Sequence, residues 1–137
     1  MDKNNTIVMV IEKSSDHYGA YSENCDGIYA AGDSIEDVRK DTEEAIRLIK
    51  EELPKSQWPE PLKGDYNIVY KCDTQSFLKF YRDTMSLAGL QEITGVNQKQ
   101  LSSYLNGRTK PQKAQRARIN KGIQKFAHEL LDISVMA

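Results

Sequence analysis

The chain has no long apolar run. Its longest, Ile7 to Ile11, covers five residues, far short of the roughly 20 that span a bilayer, so no membrane partner is expected. The start, Met1-Asp2-Lys3-Asn4-Asn5, lacks the basic-then-apolar layout of a secretory signal, and the chain reads as cytoplasmic. Cysteine and histidine are scarce: Cys25 and Cys72 stand far apart, and the only histidines are His17 and His128. A structural zinc site takes about four clustered Cys or His ligands. No pair here has ligand spacing, so no metal and no cofactor is expected, and the thiols read as ordinary reduced ones. Catalytic motifs are missing as well: there is no Gly-rich phosphate loop and no nucleophile motif. Glu12, Asp16, Asp33 and Asp65 are the carboxylates expected on strand ends and loops, but they form no set of the kind that two-metal cleavage needs. His17 beside Asp16 reads as a surface turn rather than as a base with its orienting carboxylate. No enzyme is expected.

Net charge is nearly absent too, −1 over 137 residues, but the sum hides a division. Residues 1–75 hold 9 Lys/Arg against 16 Asp/Glu, and residues 76–137 hold 10 against 4, a balance of −7 followed by +6. A basic segment is drawn to phosphate by counterion release and an acidic one is repelled. Any nucleic acid is therefore expected at the C-terminal half, and any partner of the N-terminal half is expected to be basic.

What is present falls into two patterns. Thr6–Ile11 is β-branched and almost continuously apolar, as expected of a strand covered on both faces. After the turn cluster Ser14-Ser15-Asp16, the segment from Tyr18 to Ser22 reads as a second strand in a hairpin, and Ile28–Ala31 as a third. Ser34 opens a helix as its N-cap, with Asp37 three residues on. Ile35, Val38, Ala45, Ile46, Ile49 and Leu53 recur at helical spacing until Pro54 ends the pattern. Three of the four prolines (Pro54, Pro59, Pro61) interrupt the segment that follows, where Trp58 is expected to pack the linker onto a domain. Tyr66–Tyr70 reads as the last strand, and Lys71–Gln75 as a hinge. The second half has no convincing strand. Helices are expected over 76–83, 86–94, 97–106 and roughly 113–131, with Phe77, Phe80, Phe126, Leu130 and Leu131 as helical core or, in part, a dimer seam. The expected fold is α+β: a small ββ β α β sheet module over residues 1–72, then an all-α domain over 76–137.

The most specific signal runs from Leu87 to Gly107. Two short helices that cross over a tight turn need particular residues there. Gly95 supplies a positive φ, Val96 plugs the angle, and Asn97 caps the second helix. Leu90, Ile93, Leu101 and Leu105 are spaced to share a core, Tyr104 is expected to pack with them, and Asn106-Gly107 stops the helix. Outward on the second helix remain Gln98, Lys99, Gln100, Ser102 and Ser103, suited to base edges in a major groove. Arg108, Thr109, Lys110 and Lys113 follow and are expected to meet phosphates. DNA binding is thus expected through Gln98, Lys99, Gln100, Ser102, Ser103, Asn106, Arg108, Thr109 and Lys110. The stretch Leu90 to Pro111, with Gly95-Val96-Asn97-Gln98 and Tyr104-Leu-Asn-Gly-Arg-Thr-Lys-Pro111, resembles the repressor-type helix-turn-helix of phage repressors and related bacterial regulators. Those proteins usually carry Ala where this chain has Gln91, a departure that implies a slightly different crossing of the helices. The resemblance implies double-stranded operator DNA as partner and binding as a homodimer or dimer of dimers.

Residues 6–70 resemble the HicB family of antitoxins. The likeness rests on the strand-rich start, on Gly27-Ile28-Tyr29-Ala-Ala-Gly32-Asp33-Ser34-Ile35-Glu36-Asp37, and on the long amphipathic helix with Ala45-Ile46. Cys25-Asp26-Gly27 departs from the Pro-Gly pair that many members carry at that turn. The resemblance implies a partial RNase-H-like sheet that binds and blocks a small basic HicA-type toxin that cleaves RNA, with the C-terminal half repressing the operon of both. Tyr18, Tyr21, Glu23, Asp26 and Tyr29 are the residues expected at the toxin face. The alternative is a stand-alone or phage-type repressor whose N-terminal module senses a ligand or dimerises.

Overall fold

The computed structural model describes residues 5–136; Met1–Asn4, which hold most of the start read above for a secretory signal, lie outside them, as does Ala137. The chain is mixed α and β and divides into two compact units, Met1–Asp73 and Thr74–Ala137. No described helix is long and apolar enough to cross a membrane.

The first unit is a four-stranded sheet with one long helix. Strands β1 (Thr6–Lys13), β2 (Tyr18–Ser22), β3 (Tyr29–Gly32) and β4 (Asn67–Cys72) lie in the order β3-β2-β1-β4, and α1 (Ile35–Glu52) connects β3 to β4. β1 runs antiparallel to β2 and parallel to β4. Neighbouring side chains on a strand point to opposite faces, and burial follows that alternation. Ile7, Met9 and Ile11 are buried with Ala20, Ile28 and Ala30, and α1 covers them with Val38, Thr42 and Ile46. Val8 and Val10 remain half-exposed. The expectation of a strand covered on both faces is therefore corrected: the one helix of this unit covers only one face, and Val8 and Val10 on the other stay partly exposed.

The start of α1 is fixed by Ser34, whose hydroxyl accepts the N–H of Asp37 at 3.0 Å. Gly32 permits the close approach behind it, since a Cβ there would lie 2.6 Å from the Asp37 Cβ. Two details of this helix differ from the periodic reading. Thr42, polar in sequence, is fully buried because its hydroxyl donates to the Val38 carbonyl at 2.8 Å. Leu53 lies 40 % exposed, because it caps the helix end outside the sheet's footprint. The proline-rich segment forms two short 3-10 turns, Lys55–Gln57 and Glu60–Lys63, and buries Leu62. Trp58 donates its ring N–H to the Leu53 carbonyl at 3.0 Å, and the Lys50 ammonium sits between the rings of Trp58 and Tyr66.

β4 runs on through Cys72 and the next helix begins at Thr74, so the five-residue hinge expected at 71–75 shrinks to Asp73. The second unit consists of α2 (Thr74–Tyr81), α3 (Leu87–Thr94), α4 (Gln98–Leu105) and α5 (Lys113–Leu131). Its core is Leu78, Leu90, Val96, Leu101, Tyr104 and Ile119, with Phe77, Met85, Leu87, Ile93, Leu105 and Ile123 packed around it. Phe80 and Phe126 are half-buried, but Leu130 and Leu131 are exposed and belong to no core.

Candidate functional site

The α3–α4 corner is built residue by residue from the sequence. α3 ends at Gly95, whose φ of 73° carries its N–H back to the Gln91 carbonyl. Only glycine adopts that left-handed geometry without strain. Val96 then enters the core at 1 % exposure. Thr94 is buried as well: its hydroxyl donates to the Leu90 carbonyl and accepts the Val96 N–H, which satisfies the turn internally. Asn97 caps α4 by accepting the Lys99 N–H at 2.7 Å. The Gln91 side chain accepts the Gln98 N–H at 2.8 Å, so two first-turn amides of α4 are held by side chains from outside the helix. The departure at Gln91 thus has a local cause: the longer side chain caps the next helix.

α5 braces this corner from behind. A Cβ on Gly122 would lie 2.4 Å from the Ile93 carbonyl oxygen and 2.8 Å from the Thr94 Cα, so α3 and α5 meet backbone to backbone. The loop after α4 is pinned at both ends. Gly107 turns it with φ 75°, the Ser103 hydroxyl pairs with that of Thr109 at 2.8 Å, and Arg116 donates to the Pro111 carbonyl at 3.0 Å.

The result is one solvent-facing polar surface. Gln98, Lys99, Gln100, Asn106, Arg108, Thr109 and Lys110 are exposed, and Ser102 and Ser103 are half-buried beside them. The Asn106 amide donates to the Ser102 hydroxyl at 3.3 Å. All nine residues expected to touch DNA thus lie on α4 or the loop after it. α4 is about 12 Å long at 1.5 Å per residue, the width of a major groove. Tyr104 points inward at 4 % exposure and is unavailable for base reading.

In the first unit, the sheet leaves a face uncovered. Register places Val10 opposite Tyr21 and Lys71, Val8 opposite Val69, and Tyr21 opposite Tyr29. These side chains lie on the face away from α1, with Tyr29 70 %, Val69 41 % and Tyr21 40 % exposed. The rim is charged: Lys71 pairs with Glu23 at 3.3 Å, and Glu12 lies at the end of β1. Of the five expected toxin-face residues, Tyr21, Glu23 and Tyr29 gather here. Tyr18 does not: it lies on the Ala20 side of β2, the face toward α1, with Lys13 stacked over its ring. Asp26 sits in the β2–β3 turn, exposed and outside the sheet. Val8, Val10 and Val69 are the members that sequence reasoning missed.

Near the hairpin turn, Ser14, Asp16 and His17 form a cluster, but the Ser14 hydroxyl (3.0 Å) and the Asp16 carboxylate (2.8 Å) converge on one ring nitrogen of His17, Nδ1. All three side chains are exposed, in the turn between β1 and β2. His17 holds the Asp16 carboxyl below its usual range by hydrogen bonding and charge. Among the described residues no group of three or more His, Cys, Asp or Glu is placed to hold a metal ion. Cys25 and Cys72 are free thiols, and burial pushes the Cys72 thiol up to about 11. No family model, no curated protein and no solved structure matches the chain.

Proposed function

We propose that the C-terminal unit reads double-stranded DNA and that the chain is an antitoxin-type repressor: it silences its own operon through α4 and holds a small basic RNA-cleaving toxin on its N-terminal unit. The observation that carries the DNA reading is the capped α3–α4 corner with the polar face of Gln98, Lys99, Gln100, Ser102 and Ser103 outward. Glutamine pairs in bidentate fashion with adenine and lysine with the guanine acceptors, while Arg108, Thr109 and Lys110 meet phosphates and set register. The double cap on the first turn of α4 fixes the direction in which Gln98 and Lys99 project.

The toxin reading rests on the N-terminal unit's balance of −7 and on its open apolar sheet face, rimmed by Glu12 and Glu23. Complementary potential speeds encounter and sets orientation, and an apolar centre supplies affinity. Two titrations test the pair of claims. Fluorescence anisotropy on the DNA upstream of the chain's own gene is expected to give tight binding, with Gln98→Ala and Lys99→Ala losing discrimination against random DNA. Equal losses on both DNAs would remove the roles assigned to these residues. Co-expression with the short basic reading frame beside the gene is expected to relieve that product's toxicity, and Tyr29→Asp to abolish the relief. If no such reading frame adjoins the gene, the chain is instead a stand-alone repressor.

A further inference from the structure

The two units treat their cations differently. In the first, Lys40, Arg47, Lys63 and Lys71 each meet a glutamate. In the second, among the described residues, no Lys or Arg lies within ion-pair distance of a carboxylate. Lys99, Arg108 and Lys110 belong to the α4 surface described above. α5 adds Lys113, Arg116, Arg118, Lys121 and Lys125, with no Asp or Glu before Glu129. Arg118, Lys121 and Lys125 follow in steps of three and four, which sets them on one face of the helix. All three are exposed, and that face is turned away from Ile119 and Ile123 in the core. Like charges at this spacing repel and weaken a helix, a cost that an anionic partner offsets.

The stripe begins at the α3–α4 corner. A Cβ on Gly95 would lie 2.9 Å from Nη2 of Arg118, so the guanidinium rests against the turn that opens α4. Arg108 and Lys110 follow the other end of α4. Cations therefore stand at both ends of a helix about 12 Å long, matched to a groove of about that width with phosphates along both walls. We propose, on the DNA reading of α4, that Arg118, Lys121 and Lys125 hold the backbone of the same duplex outside the bases that α4 reads. An acidic protein segment would satisfy the same charges, but a stripe continuous with the α4 surface fits one polyanion that spans both. Contacts to phosphate carry no sequence information, so the stripe raises affinity for every duplex alike and leaves the preference for one motif unchanged.

Titration of the full chain with a random-sequence duplex of about 30 base pairs, roughly three helical turns, from about 50 to 200 mM salt tests this. Each phosphate contact contributes about 0.9 to the slope of log K against log salt. Lys121→Gln combined with Lys125→Gln is expected to lower the slope by about 1.8, so that over this range the variant loses ~12-fold less affinity than the wild type. Both positions are exposed and glutamine forms helix about as well as lysine, so the far-UV circular dichroism spectrum is expected to stay unchanged. Lys40→Gln combined with Lys55→Gln makes the same change of charge at exposed positions of the first unit and is expected to leave the slope in place. A slope that the α5 variant retains, or that both variants lower alike, overturns the inference while the DNA reading stands. Loss of discrimination between a selected motif and random duplex in the α5 variant overturns it too, because the stripe would then read bases. A wild type that binds no duplex at all removes the DNA reading, and the inference with it.

Discussion

Replacing Gly122 by alanine separates what helix propensity predicts from what the α3–α5 packing predicts. Within a helix, glycine costs about 1 kcal/mol relative to alanine, so on an exposed face Gly122→Ala stabilises by about that amount. The structure places a new Cβ 2.4 Å from the Ile93 carbonyl oxygen and 2.8 Å from the Thr94 Cα. Both obstacles are backbone, which cannot swing aside, so the helices must part. Parting them loosens Ile119 and Ile123 against the core. Overpacking costs about 1–3 kcal/mol, and a backbone obstacle belongs at the upper end, about 3 kcal/mol by the same scale. After the propensity gain of about 1 kcal/mol, a net loss of about 2 kcal/mol remains. With a urea slope of about 1 kcal/mol/M for so small a unit, the unfolding midpoint at 222 nm falls by about 2 M. Trp58, the only tryptophan, lies in the first unit, so its fluorescence transition is expected to stay in place. Asn120→Ala, on the exposed side of the same helix, serves as control and is expected to raise the midpoint slightly. A Gly122→Ala protein as stable as the wild type or more so refutes the backbone contact between α3 and α5.

Asn97→Ala removes the acceptor for the Lys99 N–H and is expected to cost about 1 kcal/mol, read from the same urea transition, while Asn97→Asp retains nearly all of it; equal stability of all three proteins contradicts the cap. Lys110→Ala is expected to weaken binding to every DNA sequence alike and to reduce the slope of log K against log salt by about one; a loss confined to one sequence makes Lys110 a base reader instead. Burial lifts the Cys72 thiol from about 9 to about 11. At pH 8 its thiolate fraction falls from about a tenth to about a thousandth, so iodoacetamide labelling followed by intact mass is expected to run ~100-fold slower than for an exposed cysteine. Labelling at the free-thiol rate contradicts the burial.

The C-terminal half was legible in the sequence because its constraints are local. A left-handed glycine, an apolar plug and an Asn cap occupy consecutive positions, and each can be read from residue type. What escaped were side chains whose environment is set by tertiary contacts. Thr94 looks polar but is buried by bonds to Leu90 and Val96, and Gln91 looks like a misfit but caps α4. In the first unit, the apolar run of β1 admits two arrangements, burial on both faces or one face left partly exposed. Periodicity cannot separate them, but the supply of covering elements can: one amphipathic helix serves one face. Counting helices against faces would have left Val8, Val10 and Val69 uncovered. It would also have set Tyr18 apart from Tyr21 and Tyr29, since alternation sends residues 18 and 21 to opposite faces. Leu130 and Leu131 fall outside the core of the second unit for a related reason. The periodic pattern of α5 continues past the last helix able to cover it.

The most direct test of the central claim is selection of DNA by the full chain from a pool of random duplexes, with affinities measured for the enriched sequence and for bulk DNA at one salt concentration. The account predicts enrichment of a single motif, bound at least about 10³-fold more tightly than random duplex, with that ratio collapsing in Gln98→Ala while the residual affinity persists. Failure to enrich any motif, or a ratio near one in the wild type, would contradict it, and the polar face of α4 would then be only a solvated helix.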